Sequence, residues 1–578
     1  MTQRGLDLVT RERDSREALR TFRDRYAQQL ETLWAGLGRL GTANPRLTSL
    51  LSRDADPRVT RLAQSAAFAA AYADLRVDNE SEHLISPALA RVLPDVVRPQ
   101  PAATIVQLAS DNSTGRTEEP GSYLESKRGQ TRARFVTSWS ALYAPIEITR
   151  ARVVRPDPTM QVLVLTLSAI PGIAFGTALR ETLRVFVSGG FAVDFIHAIR
   201  ERDVHVKALN AEGRLLHELT LPHAVRWVRV DSEELPLVSS AQSSPLATGA
   251  LLGDYFSFPE SFAFFDIDVE ALRSTPEKAR RLELLISFAR VVPAVEGLSA
   301  RDFHLACTPA VNTFAASFAR VLADGERSAV VSIADDPLAE IIDVNRVRCG
   351  PSSHAVVDVP IYEQVPPGHA LLGGSFARLR RSPSVVGDRT EVELGFFSVD
   401  EPGEFLGPHI QCAVRATQRH ACVDLGVGDV SRVGVSNITR VTRGLPVTWG
   451  SEVAWRQNAY ARMPCAELGG RIASANAFLG LHDPLPESDA PPRVRTAMGE
   501  RSQRLVRGVV QHGLHFEMEI EMASFGSVGE AWLLGELFAR SLAERDDRLR
   551  YSKLTWRGHK VEFPYQARDG RLLPGVIS

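Results

Sequence analysis

The spacing of apolar residues changes near residue 100, and this change constrains the fold more than any other feature. In the first part, six apolar residues recur at spacings of three and four within a polar segment, which predicts a long amphipathic helix. These residues are Leu19, Phe22, Tyr26, Leu30, Leu33 and Leu37. From about residue 101 the period is two, as in Leu183, Val185 and Val187, which predicts short strands. Helical ends around a β-rich middle predict a multidomain α+β fold.

Proline and glycine positions divide the chain further. Asn44-Pro45 and Asp56-Pro57 predict turns, and the segment after them has the Ala-rich face of a second helix. The polar, Pro-containing stretch 482–493 predicts an exposed loop or linker. We therefore expect an N-terminal helical region (1–98), two β-rich, sandwich-like domains (99–302 and 303–480) and a small α+β C-terminal domain (481–578).

The N-terminal stripe has two interpretations. An amphipathic stripe followed by an Ala-faced helix suits a helical bundle formed with a partner, because small residues permit close helix approach. The same stripe also suits packing within the chain. The sequence leaves both interpretations open.

Composition excludes several classes of protein. The formal net charge is −2 and the pI is about 6.7, which argues against a nucleic-acid partner. The five cysteines include no C-x-x-C pair, and they fit buried thiols in a reducing compartment. The N-terminus is charged where a signal peptide is apolar, and Pro171 interrupts the longest apolar run. We expect a cytoplasmic protein without membrane insertion.

Metal-binding patterns are incomplete in this chain. His217 and His223 are six residues apart, and Pro222 would break the helix that a zinc-binding H-E-x-x-H motif requires. His512 and His515 form an H-x-x-H pair without a Cys or carboxylate at ligand spacing. We assign no metal ligands.

Catalytic and cofactor patterns are equally weak. The chain has no phosphate-binding G-x-x-x-x-G-K-[ST] motif, and Gly373-Gly374-Ser375 lacks the spacing of an esterase elbow. Asp335-Asp336 and the pair Asp266 and Asp268 are carboxylates close in sequence, which alone does not make a hydrolytic site. We assign no catalytic residue and expect no cofactor. A carboxylate-dependent hydrolase and a β-rich carbohydrate-binding module stay open as alternatives.

The densest aromatic segment is DYFSFPESFAFFDID, from Asp254 to Asp268. Pro259 predicts a turn, and the alternation from Phe262 to Phe265 predicts a strand buried on both faces. Core packing is the common role of such a segment, and an exposed anchor for a partner is the alternative.

This segment resembles the "YF-FPEKF-FFDL" stretch of the TssF (VasA/ImpG) family of type VI secretion baseplate subunits. FHLACTPAVNTF, from Phe303 to Phe314, is similar to the family's "CTPAVNLF" block. The motif residues that carry the resemblance are Tyr255, Phe256, Phe258, Pro259, Phe262, Phe264, Phe265, Cys307, Thr308, Pro309 and Asn312. The C-terminal blocks agree less closely, since DRLRYSKL stands where the family has "INSFT", as in a divergent member.

The resemblance implies a non-enzymatic wedge subunit of the baseplate. Two TssF copies would join one TssG-like subunit, with TssE-like and TssK-like partners, around a VgrG-like spike hub at the inner face of the cell envelope. The stripe from Leu19 to Leu37 would then enter a bundle shared with these partners. A wedge or adaptor protein of another contractile machine or phage tail is the alternative within this class.

Overall fold

The computed structural model describes most of the chain. The described residues are 3–46, 48, 56–92, 94–109, 116–126, 132–170, 173–179, 182–200, 202–231, 237, 247–288, 291–323, 326–362, 375–384, 389–398, 407–448, 451–463, 465–483, 492–506, 508–544, 551–558, 561–564 and 568–569. For some helical and strand residues within these ranges, including 3–22 and 75–88, the backbone alone is described.

Helices and strands follow the predicted order along the chain. The α-helices are α1 (Gln3–Ala43), α2 (Pro57–Val92), α3 (Phe175–Ala178), α4 (Ala192–Ile199), α5 (Ala247–Ser257), α6 (Ser451–Arg462), α7 (Cys465–Gly470), α8 (Ile472–His482) and α9 (Val528–Glu544). The strands are β1 (Ala103–Leu108), β2 (Arg116–Glu118), β3 (Tyr123–Ser126), β4 (Arg134–Thr137), β5 (Ala141–Tyr143), β6 (Ile146–Val154), β7 (Gln161–Ala169), β8 (Thr182–Val187), β9 (Val204–Leu209), β10 (Leu215–Leu221), β11 (Val225–Trp227), β12 (Phe264–Asp268), β13 (Arg281–Phe288), β14 (Phe303–Leu305), β15 (Cys307–Val311), β16 (Phe314–Val321), β17 (Ser328–Val330), β18 (Glu340–Gly350), β19 (Val357–Val359), β20 (Ile361–Tyr362), β21 (Ser375–Pro383), β22 (Thr390–Ser398), β23 (His409–Thr417), β24 (Val430–Arg432), β25 (Val435–Asn437), β26 (Val494–Val506), β27 (Val509–Ile520), β28 (Tyr551–Gly558), β29 (Val561–Pro564) and β30 (Arg568–Asp569). The predicted α+β class is confirmed.

The N-terminal region is a pair of long helices. Asp56 begins α2: its side chain accepts a hydrogen bond from the Arg58 amide at 2.8 Å, and Pro57 occupies the first helical position, where its missing N–H costs nothing. α2 packs against α1 and α6. Among its described side chains, Ala63, Ala67, Ala71 and Leu89 are buried, so the predicted Ala-rich face is present in the first half of the helix.

A small closed barrel lies after this pair. Its strand order is β1-β15-β4-β3-β24-β25, so its strands come from three distant stretches of the chain. β1 pairs with β15 from Ala103↔Val311 to Gln107↔Cys307 and with β25 on its other edge. Strands from both sides of residue 302 therefore share one barrel. The division of the chain into domains at residues 98, 302 and 480 stays a prediction.

Two further sheets form the centre of the molecule. One has the order β10-β9-β13-β7-β6 and the other β11-β12-β8-β14. β7 is apolar on both faces over most of its length because it is buried on both. One hydrophobic core joins these sheets, α4 and α5 to the C-terminal elements, and its members range in sequence from Ala103 to Trp556.

An eight-stranded sandwich is inserted between two barrel strands. Its sheets have the orders β16-β23-β18-β19 and β17-β22-β21-β20, and it has a separate core. The chain enters the sandwich after β15 and leaves it just before Arg419, and the first and last strands pair at Phe314↔Ala416. The two connections therefore lie side by side.

The C-terminal region combines strands with one long helix. Its elements are strands β26 to β30 and helix α9. β26 and β27 form a long antiparallel hairpin, and β28 adds to β27 in parallel. Of the predicted loop 482–493, residues 484–491 lie outside the described residues. None of the described helices combines the length and hydropathy needed to cross a lipid bilayer.

Candidate functional site: two buried junctions and an exposed helix face

The aromatic segment lies in the central core. Tyr255 and Phe258 belong to the end of α5 and the residue after it, and Phe264 and Phe265 lie in β12. All four side chains are buried, whereas Phe256 is half-buried. The segment therefore serves core packing, and the burial of Tyr255 and Phe258 counts against a carbohydrate-binding platform here.

One detail of the predicted strand is wrong. Phe262 does not lie in the strand, because residues Pro259–Phe262 form a 3-10 helix with the exposed Pro259 in its first turn. The Phe262 carbonyl accepts a hydrogen bond from Trp227 Nε1 at 2.7 Å, which a ladder position in β12 would not allow. The strand therefore begins two residues later, at Phe264.

A buried arginine, which the sequence did not single out, organises this segment. Arg229 is fully buried and has a φ of +67°, in the left-handed region. It pairs with Asp254, donates to Ser261 Oγ at 2.5 Å, and lies 4.5 Å from the ring centroid of Phe262. A buried charge needs this combination of a counterion and hydrogen bonds.

The aromatic segment and the neighbouring strand β11 contact the C-terminal elements. Tyr255 donates to Glu530 Oε1 at 3.1 Å, and burial together with Glu530 raises the pKa of this tyrosine well above its usual value. Trp227 stacks on Trp532 of α9 at 5.3 Å between centroids. Arg493 lies over the ring of Phe256 at 4.7 Å.

We call this contact the aromatic junction. Its members are Trp227, Arg229, Asp254, Tyr255, Phe256, Phe262, Arg493, Glu530 and Trp532. The start of α9 closes the contact, since the Gly529 amide donates to Asp194 Oδ1 at 2.6 Å. A Cβ at Gly529 would lie 2.7 Å from the Asp194 Cα, so only glycine fits without a backbone shift.

The CTPAVN block lies in and just after β15. Cys307 is buried, and burial raises the pKa of its thiol well above the usual value, so it packs as an apolar residue. Thr308 Oγ1 donates to the Trp139 carbonyl at 2.9 Å and accepts from the Trp139 amide at 3.2 Å. The Pro309 carbonyl accepts from the Ser138 amide at 2.8 Å. The block thus ties β15 to the segment after β4.

Asn312 joins the barrel to the sandwich. Its side-chain amide donates to the Arg134 carbonyl at 2.7 Å, and its oxygen accepts from Thr417 Oγ1 and the Gln418 amide, each at 2.8 Å. Gln418 in turn donates to Asp336 Oδ2 at 2.6 Å. Both chain connections between the two units are therefore bridged by one buried side chain.

Buried ion pairs surround this bridge. Arg419 Nε lies 2.7 Å from Glu340 Oε1, and both side chains are more than nine-tenths buried. Asp343 pairs with Arg98 at 3.1 Å and also with Arg415. We call this region the polar junction. Its members are Arg98, Asn312, Asp336, Glu340, Asp343, Arg415, Gln418 and Arg419.

The N-terminal stripe is partly described. α1 lies along α2, and Gln29 donates to Asp74 at 2.6 Å. The side chains of Leu19 and Phe22 lie outside the described residues. The other members of the predicted stripe are half-buried: Tyr26, Leu30, Leu33 and Leu37.

The outer side of α2 carries an apolar face that the sequence analysis missed. Leu62, Phe68 and Tyr72 are 71%, 55% and 59% exposed. Successive residues on a helix are separated by about 100°, which places these three on one side and the buried alanines on the other. The spacing of Leu62, Phe68 and Tyr72 in the sequence could have indicated this second apolar face, next to the Ala-rich one.

The weak metal patterns do not assemble into sites. His217 lies in strand β10, so the helix that H-E-x-x-H requires is absent there. His512 and His515 both lie in β27, and residues three apart in a strand face opposite sides. Among the described residues, no three His, Cys, Asp or Glu side chains are grouped to hold a metal ion.

The carboxylates that lie close together in sequence form ion pairs and hydrogen bonds. Asp266 is held by two hydrogen bonds from Arg184, at 2.9 and 3.0 Å, and Asp268 lies 3.7 Å from Arg226. Asp336 accepts from Gln418 in the polar junction. Each of these three carboxylates thus has a structural partner.

Comparison with known proteins identifies the family. The family model described as "Type VI secretion system, TssF" matches residues 19–560, which is most of the chain. The chain belongs to the TssF family. This confirms the resemblance drawn from the aromatic segment and the CTPAVN block, and it includes the C-terminal region where the motifs agree less closely.

A curated TssF relative and two solved structures agree with this assignment. The type VI secretion system component TssF1 of Pseudomonas aeruginosa is 24% identical over 399 residues, 63% of this chain and 63% of the relative. A chain of a TssK-TssF-TssG baseplate subcomplex, solved by cryo-electron microscopy, has a TM-score of 0.70 and 17% identity over 89% of this chain and all of its own length. A chain of a type VI baseplate complex has a TM-score of 0.55 and 16% identity over 95% of this chain and all of its own. These structures share the fold.

Proposed function

We propose that this chain is a non-enzymatic wedge subunit of a type VI secretion baseplate. The match of the TssF family model to residues 19–560 is the observation that carries this proposal. The similar solved chains come from a TssK-TssF-TssG subcomplex and from a baseplate complex. A structural role also fits the two junctions, where the motif residues make packing contacts, hydrogen bonds and ion pairs.

The proposed partners follow the family. Two copies of this chain join one TssG-like subunit, and the wedge binds TssE-like and TssK-like subunits around a VgrG-like spike hub. The assembly is cytoplasmic and docks at the inner face of the cell envelope. Neither a nucleic acid nor a cofactor takes part.

The N-terminal helix pair is the proposed surface for the TssG-like subunit. One contribution is the stripe of Leu19, Phe22, Tyr26, Leu30, Leu33 and Leu37. The second is the exposed face of α2 with Leu62, Phe68 and Tyr72, because three large apolar side chains on one side of a helix suit knobs-into-holes packing against another helix.

Co-expression with a TssG-like subunit from the same organism tests the proposal. We expect a stable complex of two copies to one, measured by native mass spectrometry. A folded chain that stays monomeric in the presence of that subunit would overturn the proposal.

Two charge-insertion variants test the surface. Phe22→Asp with Leu30→Asp should abolish assembly and leave the β-rich middle folded by circular dichroism. Leu62→Asp with Tyr72→Asp should do the same without disturbing the α1–α2 pair, because both side chains are exposed. Gln28→Asp with Thr32→Asp is the matched control, since it adds the same charge at exposed positions of α1. If both test variants assemble as well as the control, the helix pair is not the interface.

A further inference from the structure

The hairpin of β26 and β27 extends beyond the sheet to which it belongs. Its strands pair from Val494↔Ile520 to Val506↔Val509, yet β28 pairs with β27 only between Gly513 and Glu519. The packing of α7 against β26 reaches Gly499, which abuts Gly470. Residues 500–506 and 508–512 therefore form a two-stranded arm, and we call the segment 500–512 the distal arm. Its strands reach about 20 Å past that contact.

The tip of the distal arm is apolar. Leu505 and Val510 are direct cross-strand neighbours, and they are 72% and 52% exposed. They follow Gln503 and His512 on the same side of the ribbon, because side chains two apart share a face. An isolated hairpin gains little stability in water, so two large side chains that stay exposed at its end contribute little to the fold.

The sequence of the distal arm is basic. From Glu500 to His512 it contains arginines at positions 501, 504 and 507 and one acidic residue, Glu500, which lies 3.6 Å from His515 Nδ1. This local excess contrasts with the net charge of −2 for the whole chain. Carboxylates are the groups that arginine recognises best in a protein partner.

We propose that the distal arm inserts Leu505 and Val510 into an apolar pocket, rimmed by carboxylates, on another subunit of the baseplate. The charge of the arm and the paired apolar tip together define this partner. A protein fits better than an anionic membrane, because residues 500–513 contain no Trp, Tyr or Phe, the aromatic anchors of interfacial membrane segments. The inference rests on the proposed function and adds a second contact, remote in sequence from α1 and α2.

The experiment uses the full chain with its TssG-like and TssK-like subunits. A photo-crosslinking amino acid at position 505 should link the chain to one of these subunits at an acidic surface, located by mass spectrometry. Leu505→Asp with Val510→Asp should lower the affinity of the complex at least about tenfold, because the tip is then repelled by the carboxylate rim. Val427→Asp with Val433→Asp is the matched control, since it puts the same charge on two other exposed valines and should change the affinity less than about twofold.

The outcomes separate this inference from the proposed function. If the unsubstituted chain does not assemble, both fail. If it assembles and the 505/510 variant assembles equally well without crosslinks from position 505, the distal arm inference fails and the proposed function stands. Co-sedimentation of the unsubstituted chain, but not of the variant, with phosphatidylglycerol-containing vesicles would also overturn the inference and assign the arm to a membrane surface.

Discussion

The aromatic junction and the polar junction connect parts of one chain in different ways. At the aromatic junction, stacked rings and one buried Arg229–Asp254 pair merge the central sheets and the C-terminal elements into one core. At the polar junction, Asn312 and buried ion pairs hold a sandwich that keeps its own core.

We infer that the aromatic junction mainly contributes to the stability of the fold, whereas the polar junction mainly fixes the orientation of the sandwich. Burial of aromatic side chains contributes several kcal/mol but is weakly directional, whereas hydrogen bonds contribute about 1 kcal/mol each and fix geometry. Buried ion pairs add little net stability but cost much when one partner is removed. We therefore expect the aromatic junction to determine whether the C-terminal elements stay folded, and the polar junction to determine how the sandwich is held.

The largest effect should come from Phe262→Ala at the aromatic junction. Removing a fully buried ring that also packs against Arg229 should lower the free energy of unfolding by about 4–5 kcal/mol. Urea unfolding followed by tryptophan fluorescence measures this, because Trp227 and Trp532 report on the junction. Phe68→Ala, at an exposed ring, is the control and should change stability by about 0.5 kcal/mol or less. Equal effects for both would contradict the assignment of Phe262 to the core.

A smaller effect should come from Glu340→Ala at the polar junction. It leaves Arg419 buried without its counterion, so we expect a loss of about 3 kcal/mol, measured by urea unfolding. Limited proteolysis should then cut near residues 312–313 and 417–418 first.

The double variant Glu340→Leu with Arg419→Met sharpens this test. Replacing both charges removes the buried arginine that Glu340→Ala leaves without this carboxylate, so part of the lost stability should return. The hydrogen bond from the Thr390 amide to Glu340 Oε2 stays lost, and the protease sensitivity of the connections should persist. Full recovery of both properties would show that the ion pair does not orient the sandwich.

The smallest effect should come from Tyr255→Phe. It removes the hydrogen bond to Glu530 and should cost about 1 kcal/mol at neutral pH. The raised pKa of Tyr255 means that the folded state favours the neutral phenol. Its contribution is therefore fully present below the usual tyrosine pKa of about 10 and is lost as the pH rises above it.

Unfolding titrations from neutral to alkaline pH measure this dependence. The unsubstituted protein should lose stability above about pH 10 more steeply than Tyr255→Phe. Parallel curves for the two proteins would contradict a buried, Glu530-bonded phenol.

Local patterns predicted the elements of this fold well. The spacing of Leu30, Leu33 and Leu37 gave a helix because a 3.6-residue period places them on one side. Asp56-Pro57 marked the start of α2 through ordinary capping chemistry. Phe262 was assigned to the strand because alternation cannot distinguish a ladder position from the last residue of a tight turn.

The junctions could not be predicted in the same way. Arg229 and Asp254 are 25 residues apart, and Arg419 and Glu340 are 79 apart, so no local period relates them. Burial of a charge depends on what the rest of the chain places around it. The exposed face of α2 was overlooked because the adjacent Ala-rich face is apolar too, and composition does not tell which face is covered.

By itself, the sequence determined the α+β class, the helical N-terminus and the family, because periodicity and short motifs are local properties of the chain. The tertiary structure decided that β1, β15 and β25 share one barrel, that the sandwich is an insertion, and that Asn312 bridges its two connections. These are contacts between residues far apart in sequence, and they arise only when the folded chain places each polar group opposite a partner.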